Sequence, residues 1–317
     1  MKYQSSNPNQ KQQGVALVAA LLFVALATML AVNAAWMQQL FIKRTATMVY
    51  KDQAIQYNLS IESWARQLLS EDLEASDIDH LGEDWAQSLP LLPIEGGHLA
   101  AQAEDLQSRF NLNNLVSGDT VNSLELARFL RLLEHLDLPE GIAYAVIDWL
   151  DANADPSGLG GAEDNIYLSA KPPYRTANTA MSSTTELLLI HGVTYEHYKL
   201  LSPLVCTLPE YTKININTAK ETLLYALSDA ITALVIEQIK DIQQDARYSS
   251  MSEFTEHMTL LGIPLTTTGL SINSSYFSVS SSATIGKLTS YSTSRIKRDS
   301  NTQTTVISRS FMRPDNV

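Results

Sequence analysis

The densest run of oxygen-bearing side chains lies between Asp148 and Asn165. It holds Asp148, Asp151, Asn153, Asp155, Glu163, Asp164 and Asn165 on a stretch that also contains Pro156, Gly158, Gly160 and Gly161. Carboxylate and amide oxygens on a glycine-rich turn suit a hard cation, Ca2+ rather than Zn2+. Asp151, Asn153 and Asp155 reproduce the first, third and fifth places of an EF-hand loop. Pro156 then stands where that loop needs glycine, and the closing acid, Glu163, comes one place late. The run is not an EF-hand. A solvated acidic loop with a few helix caps fits the spacing as well, so spacing alone leaves both readings open.

Little else in the chain has catalytic spacing. The six histidines (His80, His98, His135, His191, His197, His257) form no HExxH pair, and no serine sits in GxSxG. The single Cys206 lies in the apolar run Leu204–Leu208 and reads as a small buried hydrophobe. These features describe a non-enzyme. Ile214–Ala219 followed by Leu223, Leu224 and Leu227 resembles the opening of a helix-hairpin-helix module, and Glu186–Ile190 with Gly192–Thr194 starts a similar unit. In nucleic-acid binders the hairpin is glycine-rich and presents backbone N–H groups to a phosphate. Here the turn is Leu227-Ser228-Asp229-Ala230, without glycine and with a carboxylate. A net charge of −12 repels phosphate backbones further, so no nucleic-acid partner is expected.

The element that must position everything else is N-terminal. Val15–Trp36 is 22 residues without charge, proline or glycine, enough at ~1.5 Å per residue to cross a ~30 Å hydrocarbon core. A short leader carrying Lys2 and Lys11 and no acid precedes it and ends at Gly14. Residues 37–69 also lack proline and glycine, and Tyr50, Ala54, Tyr57, Ile61, Trp64 and Leu68 follow one another at helical spacing. The expected rod is ~55 residues and ~80 Å long. A secretory signal cut near Val32-Asn33-Ala34-Ala35, an uncut anchor, and a cut after Gly14 that leaves the helix on the mature chain all compete. The continuity of the helix favours the last.

A basic leader ending in glycine, then an unbroken helix whose second half packs a globular head, resembles the type IV pilins and type II secretion pseudopilins. The resemblance implies cleavage by a prepilin peptidase between Gly14 and Val15, and N-methylation of Val15. Most of those proteins carry Glu as the fifth mature residue, where it neutralises a neighbouring subunit's buried amine. Here that position is Ala19. A subunit without the carboxylate fits poorly inside a repeating shaft but can cap its end. The minor pseudopilin K family of type II secretion lacks this Glu. Val15–Gln39 with Thr45, Asp52–Trp64, Asp148-Trp-Leu-Asp151, Gly161-Ala-Glu163-Asp164 and Pro172-Pro-Tyr-Arg175 all resemble that family.

The resemblance covers Gln13 to about Phe254 and weakens in the C-terminal stretch. It implies a structural Ca2+ held by Asp151, Asp155, Glu163 and Asp164, with Asp148, Asn153 and Asn165 behind them. It further implies a non-enzymatic subunit capping a periplasmic pseudopilus. Its partners would be the minor pseudopilins I and J, the peptidase and the inner-membrane assembly platform, with contact to exported proteins possible in principle. The location implied is the inner membrane, single-pass, with the C-terminal domain in the periplasm. Tyr50, Tyr57, Ile61, Trp64 and Leu68 would supply rod-to-rod packing, with Ala19 as the altered assembly position. The alternative is a membrane-anchored periplasmic module that binds a ligand or exported protein through its helices.

Periodicity places helices from Ser123 through Leu150 and at 184–190, 194–201, 219–228, 230–245 and 251–259. Residues 70–100 read as a loop-rich connection broken by Pro90, Pro93 and Gly96-Gly97, with one or two strands between Leu99 and Phe110. Alternation at Tyr276–Ser281, Lys287–Arg295 and Thr304–Phe311 predicts antiparallel strands. The expected class is α+β: a long membrane helix on a small antiparallel pilin-type sheet, with a large inserted all-α domain. The expected divisions are 1–14 leader, 15–36 membrane helix, 37–70 its continuation, 71–118 with 270–317 the pseudopilin core, and 119–269 the insertion.

Overall fold

The structure, a computed structural model, describes residues 10–245 and 247–313. Met1–Asn9, most of the expected leader, lie outside the described residues. The first element, α1, is one helix from Gln10 to Ala75, 66 residues or ~100 Å. It exceeds the expected rod at both ends. Gly14 stands in open surroundings, and one glycine weakens a helix by ~1 kcal/mol without breaking it. At the other end Ser70–Ala75, expected as loop, remain helical. The helix closes where Ser76 N donates to Asp72 O (2.9 Å) and Ser76 Oγ accepts from Ile78 N (3.2 Å).

After α1 come β1 (Leu89–Ile94) and β2 (Gly97–Asp105), then short strands β3 (Phe110–Asn111), β4 (Val116–Ser117) and β5 (Thr120–Val121). The helical region follows: α2 (Ser123–His135), α3 (Gly141–Leu150), α4 (Asp164–Tyr167), α5 (Tyr195–Leu201), strands β6 (Val205–Cys206) and β7 (Ile214–Asn215), then α6 (Glu221–Tyr225), α7 (Ala233–Asp245), α8 (Met251–Leu260) and β8 (Leu270–Ser271). The chain ends in β9 (Tyr276–Ile285), β10 (Leu288–Arg298) and β11 (Thr304–Ser310). One antiparallel sheet runs in the order β1-β2-β9-β10-β11. Thus β2 and β9 are neighbours although the whole helical region lies between them. That region is not purely helical: β3–β6 and β7–β8 are parallel pairs and β4–β5 is a small hairpin.

Leu89–Ile94 is a strand despite Pro90 and Pro93. It lies at the sheet edge, where a missing N–H costs no ladder bond. The sequence reading of a broken loop there is corrected by this position. At the opposite edge β11 carries a register shift against β10. Such irregularity discourages further strand pairing.

The free and docked halves of α1 differ. From Gly14 to Gln53 it is exposed almost throughout, and none of its most apolar window is buried. From Ala54 onward it lies on β9, β10 and β11. Ala54, Ile61, Ala65 and Leu69 are buried with Trp85, Leu99, Phe277, Val279, Ala283, Ile285 and Ile296. Small sheet residues allow a close approach that polar groups complete. Asn58 Nδ2 donates to Ser290 O (3.1 Å) and its Oδ1 accepts from Ser281 Oγ (2.9 Å). Arg309 grips Glu62 through two N–H groups (2.6 and 2.7 Å), and Ser294 Oγ donates to the same carboxylate. These fixed, charge-assisted bonds set the helix's rotation on the sheet.

A second, larger core spans the helical region, built on Phe129, Leu132, Val146, Ile147, Leu223, Leu224, Ile236, Ile239 and Phe254. Between the cores lies a small cluster of Leu106, Cys206, Leu208 and Tyr276. Cys206 is buried and its thiol is pushed up to about 12 by burial, which keeps it protonated and unreactive.

Candidate functional site

The acidic loop leaves α3 at Leu150 and runs to α4. The apolar face of α3 (Ile142, Val146, Trp149) sits in the core and carries Asp148 inward with it. Asp148 and Asp151 are 0% and 1% exposed, and Glu163 is 4%. One oxygen of each carboxylate, Asp148 Oδ2, Asp151 Oδ1 and Glu163 Oε1, is buried without a hydrogen-bond partner. Asp148 Oδ1 accepts from Ser157 N (2.9 Å), which folds the loop back over it. Gly160 has φ +111, and a Cβ at Gly161 would collide with the Ser157 carbonyl and with Asp148 Oδ2. Only glycine permits so close a turn.

Electrostatically the three carboxylates oppose one another. Burial raises the pKa of Asp148. Burial and then the charge of Asp148 raise that of Asp151. Glu163 is pushed up to about 7, first by burial and then by Asp148, Asp151 and Asp164. No basic side chain pairs with these three among the described residues.

The remaining loop residues are placed differently from the order given by sequence. Asp155 and Asn165 are exposed. Asn153 Oδ1 accepts from Asp155 N (2.8 Å), and Asn165 Oδ1 from Ile166 N (2.9 Å). Asp164 turns to Thr176, accepting from its N and Oγ1 (both 3.1 Å), and lies 3.6 Å from Arg175. Asp148, placed behind the others by sequence, is the most deeply buried of the loop's carboxylates. A residue that spacing missed is Asp119, whose Oδ1 accepts from Ala152 N (3.3 Å) and whose charge adds to Asp151. It comes from the β4–β5 turn, too far along the chain for any local pattern.

A second acidic group lies at the foot of α1. Ligand atoms of Asp72, Asp79 and Glu83 all lie within 4.8 Å of one another, and no trio of the acidic loop closes that tightly among the described residues. Two of these three acids already share a protein cation. Arg298, 2% exposed, donates to Asp72 (2.9 Å), to Asp79 (2.5 Å), and to the carbonyls of Leu69 and Ser274 (both 3.0 Å). Asp79 also accepts from Ser274 N (2.7 Å). Glu83 accepts from His80 N (3.0 Å) and Trp85 Nε1 (2.6 Å). Burial raises Asp79 to about 6 and Glu83 to about 7. Asn215 extends the network to the helical region, donating to Asp79 O (3.1 Å), Asp105 (3.2 Å) and Ser274 Oγ (3.0 Å).

The helix-hairpin-helix look-alike is spent on structure. Asn215 belongs to that network, and Asn217 bonds the Tyr248 backbone in both directions (3.1 and 2.9 Å). In the turn Asp229 pairs with Arg131, and Ala230 N donates to Ser228 Oγ (3.4 Å). On α1, Ala54 and Ile61 of the sequence stripe are buried, Tyr57 and Leu68 are half-buried, and Tyr50 and Trp64 are 43% and 49% exposed. The true core line runs through Ala54, Asn58, Ile61, Ala65 and Leu69, so the stripe marks its flank. Ala19 is half-buried on the free half. Gly14 and Val15 are exposed on the same helix.

Comparison with known proteins agrees with this architecture. Residues 108–210 match the family model described as type II secretion system (T2SS), protein K. The type II secretion system protein K of Pseudomonas aeruginosa is 35% identical over 311 residues, covering 94% of this chain and 92% of its own. The chain belongs to the type II secretion system protein K family. The protein K of Aeromonas hydrophila is 32% identical over 87% of this chain and 90% of its own. Among solved structures, the GspK-GspI-GspJ complex of the enterotoxigenic Escherichia coli type 2 secretion system contains a chain that matches with a TM-score of 0.74. That match has 27% identity and covers 86% of this chain and all of the other. The fold is thus that of the protein K family: mixed helix and sheet behind one long N-terminal apolar helix consistent with a membrane anchor.

Proposed function

We propose that this protein is a minor pseudopilin: a non-enzymatic subunit that joins minor pseudopilins I and J, caps the tip of the periplasmic pseudopilus and helps initiate its assembly. The observation that carries this is the split character of α1. Its docked half is fixed by Asn58, Glu62 and Arg309, while the apolar stretch Val15–Ile42 (~42 Å) stands uncovered and needs either lipid or neighbouring rods. With Ala19 in place of an acid, that apolar stretch offers no carboxylate to a neighbour's amine, which suits an end position. The bulky helical region points the same way, since it widens the head beyond the sheet. The protein sits in the inner membrane with its head in the periplasm, serving export of folded proteins.

Asp148, Asp151 and Glu163, with Asp164 and Asp119 beside them, hold a Ca2+ ion. The cation supplies the positive charge that the three orphaned oxygens lack and ties the loop to α3. Three carboxylates raised by burial, two of them also by neighbouring acids, with no basic partner, are the donor set of a hard cation. A second reading, an anchored module that binds exported proteins, is favoured by the exposed Leu188, Leu189, Tyr195 and Leu200 on the helical region.

Intact mass of the membrane-purified protein, with and without co-expressed prepilin peptidase, separates these readings. Loss of residues 1–14 plus one methyl on Val15, together with co-purification of I and J, is expected. Loss of residues 1–34 would make the protein soluble and end the tip model. An uncut chain would favour the anchored module.

A further inference from the structure

Charge is distributed along this chain in a way that neither capping nor metal binding uses. The first 51 residues contain five basic residues and no acid, and the following 266 hold 17 Lys and Arg against 34 acids, a balance of −17. Three of the five basic residues, Lys43, Arg44 and Lys51, lie on the free half of α1, past the apolar span and before the acidic head. All three are exposed. No ion pair among the described residues reaches them, and the helix's pairs with the sheet begin only at Glu62. Asp52, also exposed, is the nearest acid. Below them the helix is apolar from Val15 to Ile42 apart from Thr28, Asn33, Gln38 and Gln39.

We propose that Lys43, Arg44 and Lys51 form a collar that binds the headgroups of anionic phospholipids at the C-terminal side of the membrane span. Lys43 is 28 residues beyond Val15, or ~42 Å along the helix, which matches a bilayer of ~40–45 Å including headgroups. Residues seven apart on a helix drift by only ~20°. Trp36, Lys43 and Tyr50 therefore stand in one line, and Arg44 and Lys51 in the adjoining one. Trp36 and Tyr50 are 58% and 43% exposed. An aromatic ring at the hydrocarbon boundary with basic groups above it is the pattern of an interfacial anchor. The acidic head cannot provide this contact, because an anionic surface repels it. Attraction at the collar and repulsion at the head fix the helix's depth and hold the head clear of the bilayer. Lys43 and Arg44 contribute most; Lys51, ~12 Å further out, lies beyond one ~8 Å screening length and contributes least.

This inference rests on the reading of α1 as a membrane anchor, and the test separates the two. The full-length protein is incorporated into vesicles of equal parts phosphatidylcholine and phosphatidylglycerol, checked for carbonate-resistant membrane integration, and extracted in mild detergent. The lipids retained are then measured by mass spectrometry. Wild type should be integrated and retain phosphatidylglycerol over phosphatidylcholine by about five-fold or more, falling as salt rises. The K43Q/R44Q/K51Q variant should integrate equally and lose that preference. Protein released by carbonate would overturn the anchor itself. Integrated wild type with no lipid preference, or a variant with the same preference, would overturn the collar alone. So would a variant that keeps the lipid preference but no longer co-purifies with subunits I and J, because the collar would then face a partner's carboxylates.

Discussion

Two clusters of three buried or half-buried carboxylates stand out in this chain, and they differ in their counter-charge. At the foot of α1, Asp72, Asp79 and Glu83 gather within 4.8 Å and look like a metal site from the ligands alone. Arg298 occupies that role, bonded to two of the acids and two carbonyls at once. In the acidic loop, Asp148, Asp151 and Glu163 are all buried, where Asp72 and Glu83 are only half-buried, yet each keeps an oxygen without a partner. The difference lies in where the positive charge comes from. A guanidinium on the last long strand locks the rod, the sheet and the helical region together permanently. The acidic loop has no such side chain, and on the reading proposed above a dissociable cation would take that place.

Removing the guanidinium should have the largest effect. Arg298→Met leaves the buried Asp79 and the half-buried Asp72 unpaired, and should destabilise the full chain by about 3–5 kcal/mol in denaturant unfolding. Adding Asp79→Asn should recover part of that loss. An equally stable Arg298→Met protein would erase the distinction between the clusters.

Calcium should come next. At a free concentration about 100-fold above Kd it should stabilise wild type by about 2.7 kcal/mol relative to chelator, measured as a thermal shift. The same addition should stabilise Glu163→Gln by no more than about 1.4 kcal/mol, and Arg298→Met should still respond.

A smaller effect concerns pH at the first cluster. Burial lifts the carboxyl of Glu83 from 4.5 to about 7, so the folded state holds a proton that the unfolded state has released. The sign follows: stability falls as pH rises from about 4.5 to about 7, and is greatest below that window. Glu83→Gln removes this slope. Relative to wild type, the variant should gain on the order of 1–2 kcal/mol between pH 4.5 and pH 7.5 after allowance for solvent screening. A parallel pair of pH profiles would count against a buried, proton-holding Glu83.

Much of this was legible in sequence because it rests on repetition. The apolar span, the periodic helices from Ser123 to Leu150 and the alternating C-terminal strands each state their period many times over. The α+β class with an inserted helical region followed from their order. Three features escaped for distinct reasons. The proline-bearing β1 is a strand only because it lies at an edge, which is a fact of topology. The buried face of α1 was drawn from apolar residues, whereas Asn58 and Glu62 are also on it, paired with Ser281, Ser294 and Arg309 far along the chain. The Arg298 hub joins residues from Asp72 to Arg298, and no local spacing encodes such a pairing. In the acidic loop the resemblance ranks Asp155 ahead of Asp148, whereas the structure leaves Asp155 exposed and buries Asp148. The periodicity of α3, which turns Asp148 inward beside Ile147, is the sequence feature that corresponds to that burial.

The most direct test is calcium titration of the full-length protein in detergent micelles, comparing wild type with Glu163→Gln, Asp148→Asn and Asp155→Asn. Wild type should bind saturably, Glu163→Gln and Asp148→Asn at least about ten-fold more weakly, and the exposed Asp155→Asn within about three-fold of wild type. Identical isotherms for wild type and Glu163→Gln, or no wild-type binding at millimolar calcium, would contradict a Ca2+ site in the acidic loop.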